Sequence, residues 1–319
     1  MRATSRILIS TCTVMALAGG VVAGQVASAT TTSTARVVAT INAGFNPWGI
    51  ASNGKHVWVS NQDGSDHALG TAVELDASTG SVLSTINLDY SGVASVSVSG
   101  NDVWVADHEA DEVLHVDATT GQHGVGTTVG NSPYFVASDG VHVWTSNRDS
   151  NSVTELTENG AHFVQTIQGV SYPLGITSDG KHVWVSNWNK NTVGEIQIGQ
   201  SKVLRSIKVG MRPTAIASAR GFVWTANQMS NTVTEINATT GKVLRTINVG
   251  KNPMGISTDG VHVWVSNESS NTVSEISAAT GKVVATIAVG TGPTQISADG
   301  THVWVVNSVS QSVSEIAGS

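Results

Sequence analysis

Cysteine is nearly absent: Cys12 is the single one in 319 residues, and it lies close to the N-terminus. A disulfide framework is thereby excluded, and packing and strand pairing must hold the fold. Charge is sparse as well, at 12% of residues, and 16 Lys and Arg are outnumbered by 23 Asp and Glu. A net charge of -7 is unsuited to tracking a phosphate backbone, so no nucleic acid is expected as a partner. Aromatics reach only 5%, which makes the position of each one informative. What is present in quantity is 40% hydrophobic residues and 33 glycines, the composition of a chain that folds rather than of a disordered tail or a membrane bundle.

Arg2 and Arg6 precede an uncharged stretch from Ile7 to Val26, interrupted by Gly19 and Gly20 and running into Ala27-Ser28-Ala29. A basic start, an apolar middle and a small-x-small end make 1–29 a secretory signal peptide, with cleavage expected after Ala29. A retained anchoring helix is the alternative, because the stretch approaches bilayer-spanning length, although Ser, Thr and Gly dilute it. Cys12 sits too early in the apolar run for lipid attachment. The expected mature protein has no cysteine and no transmembrane segment, and is a secreted, extracellular or periplasmic monomer.

Tryptophan reveals the organisation. Trp58, Trp104, Trp144, Trp184, Trp224, Trp264 and Trp304 are separated by 46 residues and then five times by 40. The clearest unit, PMGISTDGVHVWVSNESSNTVSEISAATGKVVATIAVG from Pro253, contains four β-type runs divided by turn residues and has no helical period. Four strands in about forty residues, seven times over, predict an all-β, seven-bladed β-propeller. The blades fall at about 47–89, 93–130, 133–169, 173–210, 213–250, 253–290 and 293–319. The last copy stops after three strands, at SVSEIAGS, and the missing fourth appears at 35–44 as ARVVATINAG, matching GKVVATIAVG at 281–290. One domain over 30–319, fastened by its own N-terminal strand, follows; such closure removes a free edge that would template aggregation. The repeated Trp, mid-strand between covered faces, reads as core, each indole contributing ~4–6 kcal/mol from ~150–250 Å² of burial.

The run HVWVSNESSNTVSEISAATGKVVATIAVGTGP resembles the YVTN-repeat β-propeller family, with Trp-Val-Ser-Asn or Trp-Thr-Ser-Asn in place of the Tyr-Val-Thr-Asn strand. That resemblance covers essentially everything after residue 34 and implies the propeller fold and an exported binding or assembly role, without a shared reaction. NTVGEIQIG at 191–199 and the AxTG turns are similar to the streptogramin (virginiamycin B) lyase group, also seven-bladed propellers. That likeness implies Mg²⁺-assisted elimination with a histidine base. This chain departs from it: the Trp strands end in Asn61, Asp107, Asn147, Asn187, Asn227, Asn267 and Asn307 where lyase-like repeats tend to have Glu, and no position matches the lyase histidine.

Packing explains what recurs, so departures from the repeat are where function is sought. His56, His142, His182, His262 and His302 begin the Trp strands, one per blade, and read as structural rather than as a shared metal site. Glu74, Glu155, Glu195, Glu235, Glu275 and Glu315 recur in the third strands and are expected to take a repeated hydrogen bond, to backbone or to an indole N–H. Blade 1 carries an insertion with Asp63 and Asp66. Blade 2 places Asp107, Glu109 and Asp111 at alternate positions, the spacing of oxygen ligands for a divalent cation (Ca or Mg), although the glycine turn and distal Glu of an EF-hand are missing; a solvated acidic loop is the plain alternative, and no other cofactor is expected.

Propeller topology puts the loops from strand two to three, and from strand four to the next blade, on one face, which serves as the ligand face in rings of this kind. Phe45, Trp48, Tyr90, Tyr134, Tyr172 and Trp188 are expected there, all in blades 1–4, with Asp63, Asp66 and Asp149 as acidic neighbours. Blades 5–7 offer Arg212, Thr214, Lys251, Met254 and Thr294 instead. The leading expectation is a non-enzymatic propeller presenting this face to a protein, glycan or cell-wall surface. The alternatives are an exported streptogramin-lyase-like enzyme acting on a cyclic peptide or lactone with a divalent metal, and a structural surface-layer component.

Overall fold

Turn residues cut each repeat into strands of about six residues. In blade 6 these are Pro253–Thr258, His262–Asn267, Thr272–Ser277 and Val283–Ala288, hydrogen-bonded in that order and antiparallel throughout. Asp259 Oδ1 makes the first turn by accepting the N–H groups of Val261 and His262 at 2.7 and 2.6 Å, and Gly260 supplies the φ of +85° that follows. The computed structural model describes residues 34–62 and 69–317, and within them seven such sheets follow one another as a β-propeller. The expected signal segment at 1–29, together with Asp63 and Asp66, lies outside the described residues.

Blade 7 is built from both ends of the chain. Arg36–Ile41 pairs antiparallel with Ser312–Ala317, which continues through His302–Asn307 to Pro293–Ala298. The first strands pack on one another around the centre, and Pro47–Ser52 touches both Val93–Ser99 and Pro293–Ala298, so the ring is closed. Blade 2 deviates at its rim, where the outer strand is broken into Gln122–His123 and Thr127–Thr128.

Burial falls outward from the second strands, whose two faces are both covered by neighbouring blades; all seven repeat tryptophans are 0–1% exposed. The outer strands alternate, as in Val243–Asn248, where Ile247 is buried and Val243 and Leu244 face out.

Blades are stapled by side chains that the repeat supplies at fixed positions. The hydroxyls of Ser186 and Ser266 donate to the Thr214 and Thr294 carbonyls of the next blade. Asn191, Asn231 and Asn271, at φ of 54–55°, accept the N–H of Arg212, Asn252 and Gly292 at 2.8, 2.8 and 3.0 Å. Asparagine suits this place because its short polar side chain tolerates the left-handed region while reaching a backbone donor. Gly175 is required by the closeness of the inner strands: a Cβ there would lie 2.5 Å from the Thr214 carbonyl and 2.7 Å from the Ala215 Cα.

Candidate functional site

The two faces of the ring are built from different chemistry. On the lower face, carrying the turns from strand one to two and from three to four, polar groups are paired with one another. Trp184 Nε1 donates to Asp179 Oδ2 at 2.9 Å, and Trp304 Nε1 to Asp299 Oδ2 at 3.2 Å. In blades 4, 6 and 7 the indole partner is therefore the aspartate of the turn, whereas Trp58, Trp104 and Trp144 Nε1 are buried with no hydrogen-bond partner among the described residues. The recurrent glutamates meet other side chains: Gln165 Nε2 donates to Glu155 Oε2 at 2.6 Å, Arg205 pairs with Glu195, and His182 bridges Asp179 and Glu195 at 3.5 and 3.6 Å. Burial alone would raise the Asp179 carboxyl, but the Trp184, His182 and Lys181 N–H donors hold it below its ordinary value. A groove of about 700 Å³ lies here, lined by Asp179, Lys181, His182, Glu195, Leu204 and Arg205, in which Asp179, His182, Glu195 and Arg205 pair with one another.

On the upper face, the residue opening the loop after strand two sits against the residue before the first strand of the same blade, through bonds such as Arg148 N–H to the Ser132 carbonyl (2.9 Å) and Trp188 N–H to the Tyr172 carbonyl (3.2 Å). The two loop sets thus merge into one surface. Trp48 and Tyr134 are not loop residues; each is the second residue of an innermost strand, at the mouth of the central channel. Their rings meet edge-on at 6.1 Å, with an interplanar angle of 88°. From Tyr134 an alternating series continues. The Arg148 guanidinium lies 5.0 Å from the Tyr134 centroid and 5.6 Å from that of Tyr172; Tyr172 contacts Trp188 at 5.2 Å; and Arg212 covers Trp188 at 4.1 Å. His108 stacks on Tyr134 at 5.8 Å. Burial pushes the Tyr134 phenol up, with the Arg148 charge opposing it.

The six expected aromatics therefore divide. Trp48, Tyr134, Tyr172 and Trp188 join one arc, whereas Tyr90 packs into the core between blades 1 and 2 and accepts the Gly126 N–H at 3.3 Å. Phe45 is 54% exposed and lines a separate groove with Leu69 and Val82. Two guanidinium groups, Arg148 and Arg212, and the His108 ring lie on the aromatics of this face, and the expected acidic neighbour Asp149 is engaged by Arg148 at 3.0 and 3.2 Å. Arg212 was expected on this face but not as a ring partner, and Arg148 and His108 were missed, because each meets its ring from another blade or loop; the available signal for the latter two was the variable residue after the Trp strand, which reads Gln62, His108, Arg148, Trp188, Gln228, Glu268 and Ser308. Thr214 and Thr294, offered by blades 5 and 7, are buried, and their hydroxyls bridge to the Pro253 and Trp48 carbonyls of the next blade at 3.2 and 3.3 Å.

Asp107, Glu109 and Asp111 do not converge as ligands. Asp107 Oδ1 accepts the N–H groups of Glu109 and Ala110 at 2.9 and 2.8 Å, Glu109 accepts the Ser91 hydroxyl at 2.6 Å, and Asp111 Oδ1 accepts the Ser132 N–H at 2.7 Å. Asp111 performs the inter-blade stapling that Asn191 and Asn231 perform elsewhere, and Asp107 stands where other blades end the Trp strand in Asn. The alternate spacing is thus a product of the repeat. No group of three or more His, Cys, Asp or Glu is arranged to hold a metal among the described residues, and no helix there is long and apolar enough to cross a membrane.

No protein-family model matches the chain, and no curated protein does. Among solved structures it is similar to Kuenenia stuttgartiensis hydrazine synthase, with a TM-score of 0.73 at 18% identity over 88% of this chain and 96% of that one. It is equally similar to a streptogramin B lyase structure, with a TM-score of 0.73 at 19% identity over 88% and 97% of the two chains. At these identities the likeness shows the seven-bladed fold, which the chain shares with both.

Proposed function

We propose that the chain is an exported, non-enzymatic β-propeller that binds a glycan, cell-wall or protein surface through the upper face of blades 1–5. The observation that carries this reading is the continuous arc from Trp48 through Tyr134, Arg148, Tyr172 and Trp188 to Arg212. Flat rings provide contact area at low conformational cost, and guanidinium groups add directional donors. Export rests on the basic, apolar and small-x-small pattern of 1–29. A binding role is favoured over a lyase-like one because Asp107, Glu109 and Asp111 each accept hydrogen bonds within loops or between blades, and the histidine that joins the arc among the described residues, His108, stacks on Tyr134.

The test is binding of the mature chain to arrayed glycans and purified cell-wall polysaccharide, alongside Tyr172→Ala and Trp188→Ala. Each variant should weaken capture by more than ~1 kcal/mol while melting like the parent. Unchanged capture by both variants would overturn the reading.

A further inference from the structure

Tyr172 and Arg212 stand at equivalent positions of adjacent blades, each immediately before the first strand, and both have positive φ, 48° and 53°. Five other blades place Asn46, Gly92, Ser132, Asn252 or Gly292 there. Small or Asx-type residues suit that conformation, whereas a large side chain is disfavoured in it. The backbone is fastened all the same: Arg212 N–H donates to Asn191 Oδ1 at 2.8 Å, and its carbonyl accepts the Gln228 N–H at 3.0 Å. Two bulky side chains are thus held at an unfavourable site, side by side on one face, where strain is characteristically kept for a functional group.

The Arg212 side chain is also pre-positioned. Its guanidinium lies 4.1 Å from the Trp188 centroid, and Trp188 is itself oriented, because its Nε1 donates to Gln228 Oε1 at 3.2 Å while Gln228 Nε2 reaches Met254 Sδ at 3.3 Å. A guanidinium stacked on a ring keeps its edge donors free and fixed in plane, the geometry that takes a carboxylate two-pronged. Among the described residues no carboxylate pairs with Arg212, Arg36 or Arg220, whereas Arg148, Arg205 and Arg245 all have one, and of the three unpaired guanidinium groups only that of Arg212 lies over an aromatic ring. In a chain with net charge -7, an exposed, oriented and unpaired guanidinium beside two tilted rings is an unusual concentration of anion-binding chemistry.

Resting on the binding face proposed above, the geometry points to a subsite for a carboxylated sugar, a uronic-acid unit of an acidic glycan, with its ring against Tyr172 and Trp188 and its carboxylate on Arg212. Arg148, between Tyr134 and Tyr172, is already engaged by Asp149, so the free guanidinium of the arc is that of Arg212. A glycan is favoured over an acidic peptide because a peptide that adds itself as a strand needs a free sheet edge, and this face is made of turns and strand ends, the outer strands lying at the rim.

The test is calorimetry of the mature chain with oligogalacturonate, with its fully methyl-esterified form, and with poly-glutamate as the acidic peptide. The informative variant is Arg212→Asn, which removes the guanidinium but installs the residue that Asn46 and Asn252 show the turn prefers, so the fold is retained. The acid form should bind about tenfold or more tightly than the ester, and Arg212→Asn should abolish that preference while melting no lower than the parent. Equal binding of acid and ester, or a preference untouched in Arg212→Asn, overturns the subsite; so does tighter binding of poly-glutamate, or no binding of oligogalacturonate at millimolar concentration. If the ester binds as well as the acid and both are lost in Trp188→Ala, the carboxylate subsite fails while the binding face stands. If no glycan responds to either variant, both fail.

Discussion

The indole of Trp48 in blade 1 and the phenol of Tyr134 in blade 3 meet edge-to-face at 6.1 Å, although a whole blade separates them in sequence. The contact exists because blade 2 offers only Ala94 at the matching position of its inner strand. Trp48→Ala and Tyr134→Ala should each destabilise the protein, and the double variant should lose less than the sum by ~0.5–1.5 kcal/mol, the worth of an aromatic pair. Urea denaturation of the four proteins measures this. Strict additivity would mean that the rings merely share a neighbourhood.

Trp48 Nε1 is buried with no hydrogen-bond partner among the described residues, whereas Trp184 Nε1 donates to Asp179 at 2.9 Å. Replacing each by Phe separates ring packing from the hydrogen bond. Trp184→Phe should cost ~2 kcal/mol or more, since it leaves the Asp179 oxygen short of a donor as well as shrinking the core, and Trp48→Phe distinctly less. Similar melting losses for the two would contradict this division of roles.

Blade 7 depends on pairing of Arg36–Ile41 with Ser312–Ala317, and Ile41 packs against the core between blades 7 and 1. Deleting 30–44 exposes that core and unfastens the ring. The truncated chain should melt far below the parent and should be restored when the strand is supplied as a C-terminal extension after Ser319. Melting at the parental temperature would show that the strand is dispensable.

Carboxyl groups on the two faces should respond to acid in opposite directions. The Asp179 carboxyl is held below its ordinary 3.8 by N–H donors that outweigh burial, so the stability it contributes is present above that value and disappears as the pH falls through its lower folded-state value. The Glu268 carboxyl on the upper face is raised above its ordinary 4.5 by burial, so it costs stability at neutral pH, and the cost is relieved as the pH falls through its folded-state value towards 4.5. Urea midpoints measured from pH 7 to 3 should show Glu268→Gln more stable than the parent at pH 7 and equal to it near pH 4. Asp179→Asn should be less stable at pH 7, with the gap closing only at the acid end.

Much of the fold was legible because it is written in periods. The Trp spacing counts blades, four β-type runs count strands, and the shared VVATI at 37–41 and 283–287 marks the closing strand, all of which depend on residues near one another in sequence or on copies of one pattern. The candidate site was legible only in part. Aromatics stood out by scarcity, and four of the six share one arc, but the ring-covering cations did not, because Arg148 and Arg212 gain their meaning from rings carried by other loops and blades. Asp107 and Asp111 misled for the converse reason: read as a local acidic spacing they resemble ligands, yet register with the repeat makes them counterparts of structural asparagines.

The central claim is that the upper face, and not the lower grooves, meets the ligand. Hydrogen exchange of the mature chain with and without a bound cell-wall polysaccharide tests it most directly, because peptides covering 146–150, 186–192 and 210–214 report the upper loops while those covering 179–182 and 238–242 report the lower turns. The account predicts slowed exchange in the upper segments alone. Protection confined to the lower turns would contradict it.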